Sequence, residues 1–183
     1  MSNPPFRKLA ERIVHRGSLI SVAEAEFEGP DGSRFERDVV HHPGAVSVVP
    51  LTDDGRVLLV RQYRAAVDRD LLEIPAGKRD VEGEAPELTA HRELEEEVGV
   101  RAASLELLGE FYNSPGFCDE HSYVYLARAL TPCAVSAQGV EEQHMTIEEH
   151  ALDDVPALIR SADLVDAKSI IGLLLTRQAL RRT

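Results

Sequence analysis

Tryptophan is absent from the 183 residues, aromatic side chains make up only 5%, and cysteine occurs twice. Proteins that hold single-stranded nucleic acid stack its bases on aromatic rings, and a chain this poor in rings has little material for such a platform. Positive charge is also scarce: 20 Lys and Arg stand against 32 Asp and Glu, a formal net charge of −12. Binding a phosphate backbone requires clustered cations, so no nucleic acid partner is expected. A small anionic substrate remains compatible, because local cations or metal ions held by acidic residues offset the repulsion. Cys118 and Cys133 fit neither a Cys-x-x-Cys zinc pattern nor a secreted disulfide framework, which points to a reduced, cytoplasmic setting. The apolar run at 170–175 is interrupted by Gly172 and is too short to cross a bilayer, and residues 1–8 have no apolar signal-peptide core. No membrane partner is expected.

The chain is long enough for one domain with an appendage. Residues 20–27 partly alternate, Gly29-Pro30-Asp31-Gly32 marks a turn, and 35–40 resume an extended pattern, which predicts an amino-terminal hairpin. Pro43-Gly44 ends it and places a boundary near residue 43. Two β-rich runs, 45–51 and 56–63, flank Thr52-Asp53-Asp54-Gly55 and read as a second hairpin. After a short apolar stretch at 71–74 come Pro75-Ala76-Gly77 and a polar loop to Gly83. Pro86 suits the first turn of a helix running to Val98, with Leu88, His91, Leu94 and Val98 on one side, Glu93, Glu96 and Glu97 elsewhere, and Gly99 as a left-handed end. Strands are expected at 105–112 and 122–129, and helices at 155–161 and 166–182. The whole predicts an α/β (α+β) sandwich, helices packed on a mixed sheet.

Glu93, Glu96 and Glu97 stand at i, i+3 and i+4 of the expected helix, so their Cβ atoms lie roughly 5–6 Å apart. Carboxylates that close repel unless a cation sits among them. Oxygen-only ligands favour a hard ion, Mg²⁺ or Mn²⁺, over Zn²⁺. A solvated acidic helix face is the plain alternative.

Gly77, Glu84 and the run Arg92-Glu93-Leu94-Glu95-Glu96-Glu97-Val98-Gly99-Val100 closely resemble the Nudix box, the signature of hydrolases acting on nucleoside diphosphates linked to another moiety. Six residues rather than five separate Gly77 from Glu84, the one departure from the pattern. The resemblance implies that Glu93 and Glu97 are the main metal ligands, that Glu96 ligates or orients, and that the Ala76 carbonyl adds an oxygen. Arg92 would orient a glutamate, and Glu84 would be structural or assist the metal. Two or three Mg²⁺ ions, or Mn²⁺, would bridge the pyrophosphate and activate a water.

Pro115 stands sixteen residues after Gly99, and together with Arg61-Gln-Tyr-Arg64, Leu72-Glu-Ile-Pro-Ala-Gly77 and the amino-terminal β segment it resembles the ADP-ribose pyrophosphatase subfamily. That resemblance implies cleavage of ADP-ribose to AMP and ribose 5-phosphate by a homodimer. Residues 1–43 would be exchanged between subunits, and 44–183 would form the hydrolase domain. Arg37 and Asp38 would reach the partner's substrate, Arg64 would bind phosphate, and Phe117 and Glu120 would contact substrate, Glu120 through ribose hydroxyls. Related enzymes place a catalytic base on a late loop, here residues 139–145, with Glu142 preferred to Glu141. His41, His42 and His144 read as surface residues. The alternatives are a hydrolase of GDP-mannose or another nucleotide sugar, and a non-catalytic module that senses ADP-ribose.

Overall fold

The computed structural model describes residues 5–134 and 143–181. The chain divides into two compact units: Met1–Gly44 with Tyr112–His121, and Ala45–Phe111 with Ser122–Thr183.

The first unit is built on an antiparallel three-stranded sheet in the order β1 (Arg7–Arg16), β2 (Ser21–Glu28), β3 (Arg34–His41). The expected hairpin is β2–β3, with Phe27 opposite Phe35 and Ala25 opposite Arg37. Strand β1 was not expected. Its residues are mostly exposed on both faces, so the sequence carries no period-2 apolar signal there. The turn of this unit's later segment is pinned to β3 by two backbone bonds, Val40 N to Phe117 O (2.7 Å) and Asp119 N to Val40 O (3.1 Å).

In the second unit, a four-stranded sheet runs β7 (Ala76–Lys78), β4 (Ala45–Pro50), β9 (His121–Pro132), β8 (Val100–Tyr112), and a three-stranded sheet runs β10 (Thr146–Ala151), β5 (Arg56–Arg64), β6 (Arg69–Glu73). Strands β4 and β9 are parallel while β4 and β7 are antiparallel, so the larger sheet is mixed. The expected second hairpin does not form as such. Its turn is present, but β4 and β5 enter different sheets and share only the bridge Leu51–Val57. Strand β4 is buried on both faces and β5 over much of its middle, and each pairs elsewhere: β4 with β9, β5 with β10 and β6.

Alternation along these strands makes two cores. Val46 and Val48 of β4 and Tyr125 and Ala127 of β9 pack with Ala90, Leu94 and Val98 of α1 (Pro86–Val98). Val49, Val124 and Leu126 pack on the other side with Val155 of α2 (Val155–Arg160) and Leu173 of α3 (Ala167–Leu180). Helices thus cover both sides of the strands, the sandwich expected from the sequence. The three helices lie where the pattern placed them, and Gly99 ends α1 at φ 63°, as a left-handed cap requires. Among the described residues, no helix is long and apolar enough to cross a membrane.

Candidate active site

Helix α1 carries the carboxylates on a face the apolar pattern misassigned. Leu88, expected inside, is 59% exposed, whereas Glu93 and Glu97 are only 6% and 4% exposed. They are spaced four apart on the same flank as Ala90, Leu94 and Val98, so the buried stripe is partly acidic. What faces them is the backbone around β7. Glu97 Oε2 accepts a hydrogen bond from the Ala76 N–H at 3.0 Å. A side chain at Gly77 has no room, because a Cβ there would overlap the Glu93 carboxylate. The glycine is therefore required by close approach of helix to loop.

Arg92 gathers the remaining acids. Its Nη1 donates to Glu93 Oε1 at 2.7 Å and to Glu96 Oε2 at 3.2 Å, and its Nη2 lies 3.6 Å from Glu84 Oε2. Thr89 Oγ1 holds the same Glu84 oxygen at 2.7 Å. Arg92 Nε and Nη2 are buried without a hydrogen-bond partner, so the guanidinium is committed more by charge than by bonds. Burial alone would lower its pKa, but Glu93, Glu96 and Glu84 outweigh that and hold it above the usual value. The box arginine bonds two of the box glutamates.

A second cluster adjoins Glu97 electrostatically. Arg64 grips Glu73 through two bonds of 2.7 Å, Nε to Oε1 and Nη2 to Oε2. Lys168 Nζ from α3 also bonds Glu73 Oε2, and reaches Asp166 Oδ2 at 2.9 Å. Burial of Glu73, 1% exposed, pushes its pKa up, but Arg64 and Lys168 reverse the shift and leave it below the ordinary value. The bonded Glu73 raises the Arg64 pKa in turn, with Glu97 contributing. Sequence reasoning did not single out Glu73 or Lys168. The one local sign was a charged residue inside the apolar run 71–74, and its cation Lys168 lies 95 positions away.

The first unit holds the other expected residues. Arg37, Asp38 and Phe117 line one cleft of about 320 Å³ together with Phe27, Tyr112 and Pro115. The Arg37 guanidinium stacks on Phe35, 4.7 Å from the ring centroid, and its Nη1 donates to Glu36 O. Glu120 does not line this cleft; its carboxylate lies 4.0 Å from His42 Nδ1. His42 corrects the surface reading, whereas the His41 side chain, 30% exposed, still reaches solvent. His41 Nδ1 meets Asp119 Oδ2 at 2.6 Å and Nε2 meets Glu11 Oε1 at 3.0 Å, while the His42 side chain is 11% exposed. The partners of His41 come from the 112–121 segment and β1, and nothing near residue 41 in the sequence announces them. Glu141 and Glu142 lie outside the described residues, whereas His144 is exposed.

The donor set at α1 suits a divalent metal. Every side-chain donor there is a carboxylate oxygen, Glu93 and Glu97 are buried, and the missing side chain at Gly77 lets the Glu93 carboxylate lie against the loop. Among the described residues no three acidic or thiol or imidazole groups stand ready around one point; the glutamates are held by Arg92 and the Ala76 N–H.

Buried, cation-steered glutamates on a helix facing a glycine loop define a Nudix-type site. Residues 41–170 match the NUDIX domain family, and the chain belongs to that family as a Nudix hydrolase. It is 38% identical to an ADP-ribose pyrophosphatase of Bacillus subtilis (strain 168), over 91% of this chain and 90% of that one. It is 35% identical to a methanol dehydrogenase activator of Bacillus methanolicus, over 87% and 86%. A crystal structure of an ADP compounds hydrolase superposes with a TM-score of 0.86 at 24% identity, covering 100% of this chain and 97% of the other, which establishes the shared fold.

Proposed function

We propose that the protein hydrolyses the pyrophosphate of ADP-ribose to AMP and ribose 5-phosphate. The observation that carries the reading is the pair Glu93 and Glu97, buried on one flank of α1 against the β7 backbone. Burying two like charges one turn apart is costly without a cation, and a chain retains such an arrangement for a site rather than for stability. Substrate choice rests on the Pro115 loop, the Arg64 and Ala76–Gly77 segments, and the likeness to the Bacillus subtilis pyrophosphatase.

Glu93 and Glu97 would hold divalent ions, Mg²⁺ or Mn²⁺, with Glu96 and the Ala76 carbonyl assisting. A hard divalent ion at such carboxylates neutralises pyrophosphate charge and acidifies a bound water. Arg92 fixes the carboxylate rotamers of Glu93 and Glu96, so less ordering is left for the moment of reaction. Arg64 binds a substrate phosphate by exchanging one of its Glu73 bonds, while Lys168 continues to neutralise Glu73. Glu142, or Glu141, takes the proton from the attacking water. Arg37 and Asp38 reach the partner's substrate, Phe117 contacts substrate and Glu120 holds the terminal ribose through its hydroxyls, in a homodimer whose amino-terminal segments are exchanged. The reducing cytoplasm is the proposed setting, in keeping with the two free cysteines.

Chromatography of ADP-ribose incubated with the protein and Mg²⁺ tests the reading. AMP and ribose 5-phosphate in equal amounts are expected. Much faster release of mannose 1-phosphate from GDP-mannose overturns the substrate while leaving the catalytic chemistry in place.

A further inference from the structure

The loop that faces the glutamates has an unusual support. Between β6 and β7 the chain passes through Ile74-Pro75-Ala76, and each backbone group with a recorded bond there is taken by a different part of the second unit. The Ile74 N–H donates to the Ser169 hydroxyl at 2.8 Å, the Pro75 carbonyl accepts from Val48 N at 2.9 Å, and the Ala76 N–H donates to Glu97 Oε2. Ser169 is fully buried on the first turn of α3. Its hydroxyl accepts from Ile74 and donates to Asp166 Oδ2 at 2.5 Å, while its own N–H bonds the same oxygen at 3.0 Å as the helix cap. Asp166 is fixed in turn by Lys168, which also bonds Glu73, the residue just before Ile74.

We infer that Ser169 is a positioning residue for the hydrolytic site: with Asp166 and Lys168 it sets the height of the Ile74–Ala76 segment, and through the Ala76 N–H it sets the orientation of the Glu97 carboxylate. This rests on the reading of Glu97 as a metal ligand. The physical case is one of degrees of freedom. Pro75 has no N–H and a restricted φ, so the segment has few ways to move. Once Ile74 N–H is fixed on one side and Pro75 O on the other, the Ala76 N–H points where Glu97 needs it. Without the Ser169 oxygen a buried N–H is orphaned, and the segment shifts to find water or another acceptor. A carboxylate misplaced by about 1 Å suffices to cost on the order of a hundredfold in rate.

The experiment compares Ser169→Ala with Thr176→Val in the full chain. Thr176 is equally buried on the same helix and bonds only the Gly172 carbonyl at 2.9 Å, so its loss disturbs α3 without touching the loop. Mn²⁺ binding is read by the electron paramagnetic resonance of free Mn²⁺, alongside kcat and KM for ADP-ribose and thermal unfolding. Ser169→Ala should weaken Mn²⁺ binding about tenfold and lower kcat tenfold to a hundredfold with KM within about twofold. Thr176→Val should lower the unfolding temperature but leave Mn²⁺ binding and kcat within about twofold. Should Ser169→Ala not fold, Asp166→Asn, which keeps an acceptor for the cap, must show the same direction of change in Mn²⁺ affinity. If Ser169→Ala, or Asp166→Asn in its place, changes metal binding and kcat no more than Thr176→Val while Glu97→Gln abolishes both, the positioning role is wrong and the ligand reading survives. If Glu97→Gln itself binds Mn²⁺ and turns over normally, both fall.

Discussion

The two units of this chain solve the problem of holding charged side chains in opposite ways. In the first, ion pairs cross the face of a thin sheet in open water: Arg7 to Glu28, Arg12 to Glu24, Arg34 to Glu26, with arginine side chains 65% to 71% exposed. Among the described residues, the buried apolar ones of this unit are Ala23 and Ala25. In the second, two apolar cores surround the strands, and the carboxylates of Glu73, Glu93 and Glu97 are buried beside them. Exposed pairs contribute little, whereas a buried carboxylate stripped of its partner is expensive. The contrast teaches that in this protein rigidity is invested at the glutamates of α1. The strands of the first unit bury little apolar surface, and β1 is exposed along most of its length.

The sharpest way to break that comparison is to neutralise a buried acid. Glu97→Gln should lower turnover of ADP-ribose by about a thousandfold, roughly 4 kcal/mol of barrier. By contrast Arg37→Ala, in the first unit, should act mainly on KM. Steady-state kinetics on both variants decides it, and equal losses in kcat would erase the distinction between the units.

Packing gives the next contrast. Leu126→Ala removes a fully buried side chain from the second unit's core and should cost about 2–5 kcal/mol in denaturant unfolding. Val14→Ala, on exposed β1, should stay within about 0.5 kcal/mol. A large loss at Val14 would mean that β1 is buried in the active assembly, and comparison at two protein concentrations would reveal it.

The smallest effect concerns pH and belongs to the first unit. Asp119 raises the His41 pKa most, burial opposes it, and Glu11 adds to the rise. A histidine whose folded pKa lies above its ordinary 6.5 contributes stability that is complete below that value and is lost as pH climbs through the folded pKa. Asp119 is shifted downward, His41 and the His42 N–H outweighing burial, and Glu11 is shifted downward chiefly by Lys8 of its own strand and less by His41, so their share appears above their ordinary values, 3.8 and 4.5, and is lost as pH falls through the lowered ones. The contacts joining β1, β3 and the 112–121 segment are therefore strongest in mildly acidic solution, between about 4.5 and 6.5. Titration of the His41 ring protons should show the raised value, and Asp119→Asn should bring it back toward 6.5. An unchanged titration in that variant would sink the assignment.

Local chemistry made much of this legible in advance. Pro86 and Gly99 bracket α1 because one suits a first helical turn and the other a left-handed exit, and neither property depends on distant residues. Spacing put Glu93, Glu96 and Glu97 on neighbouring turns, and the family signature followed from residues close together in the chain. The side of α1 they occupy did not follow, because a hydrophobicity pattern assigns glutamate to water and has no way to register an Ala76 N–H waiting opposite.

What folding alone decided is which distant groups meet. The turn at 52–55 reads as a hairpin in the sequence, yet the strands on either side of it enter different sheets, paired with β9 and β7 and with β10 and β6. Glu73 is tolerable in the interior only with Arg64 and Lys168 beside it, and Lys168 arrives from 95 residues away. Contacts of that kind carry no local period, cap or propensity in the sequence. They exist only when helix and sheet close over one another, and that closure sets the loop facing Glu97.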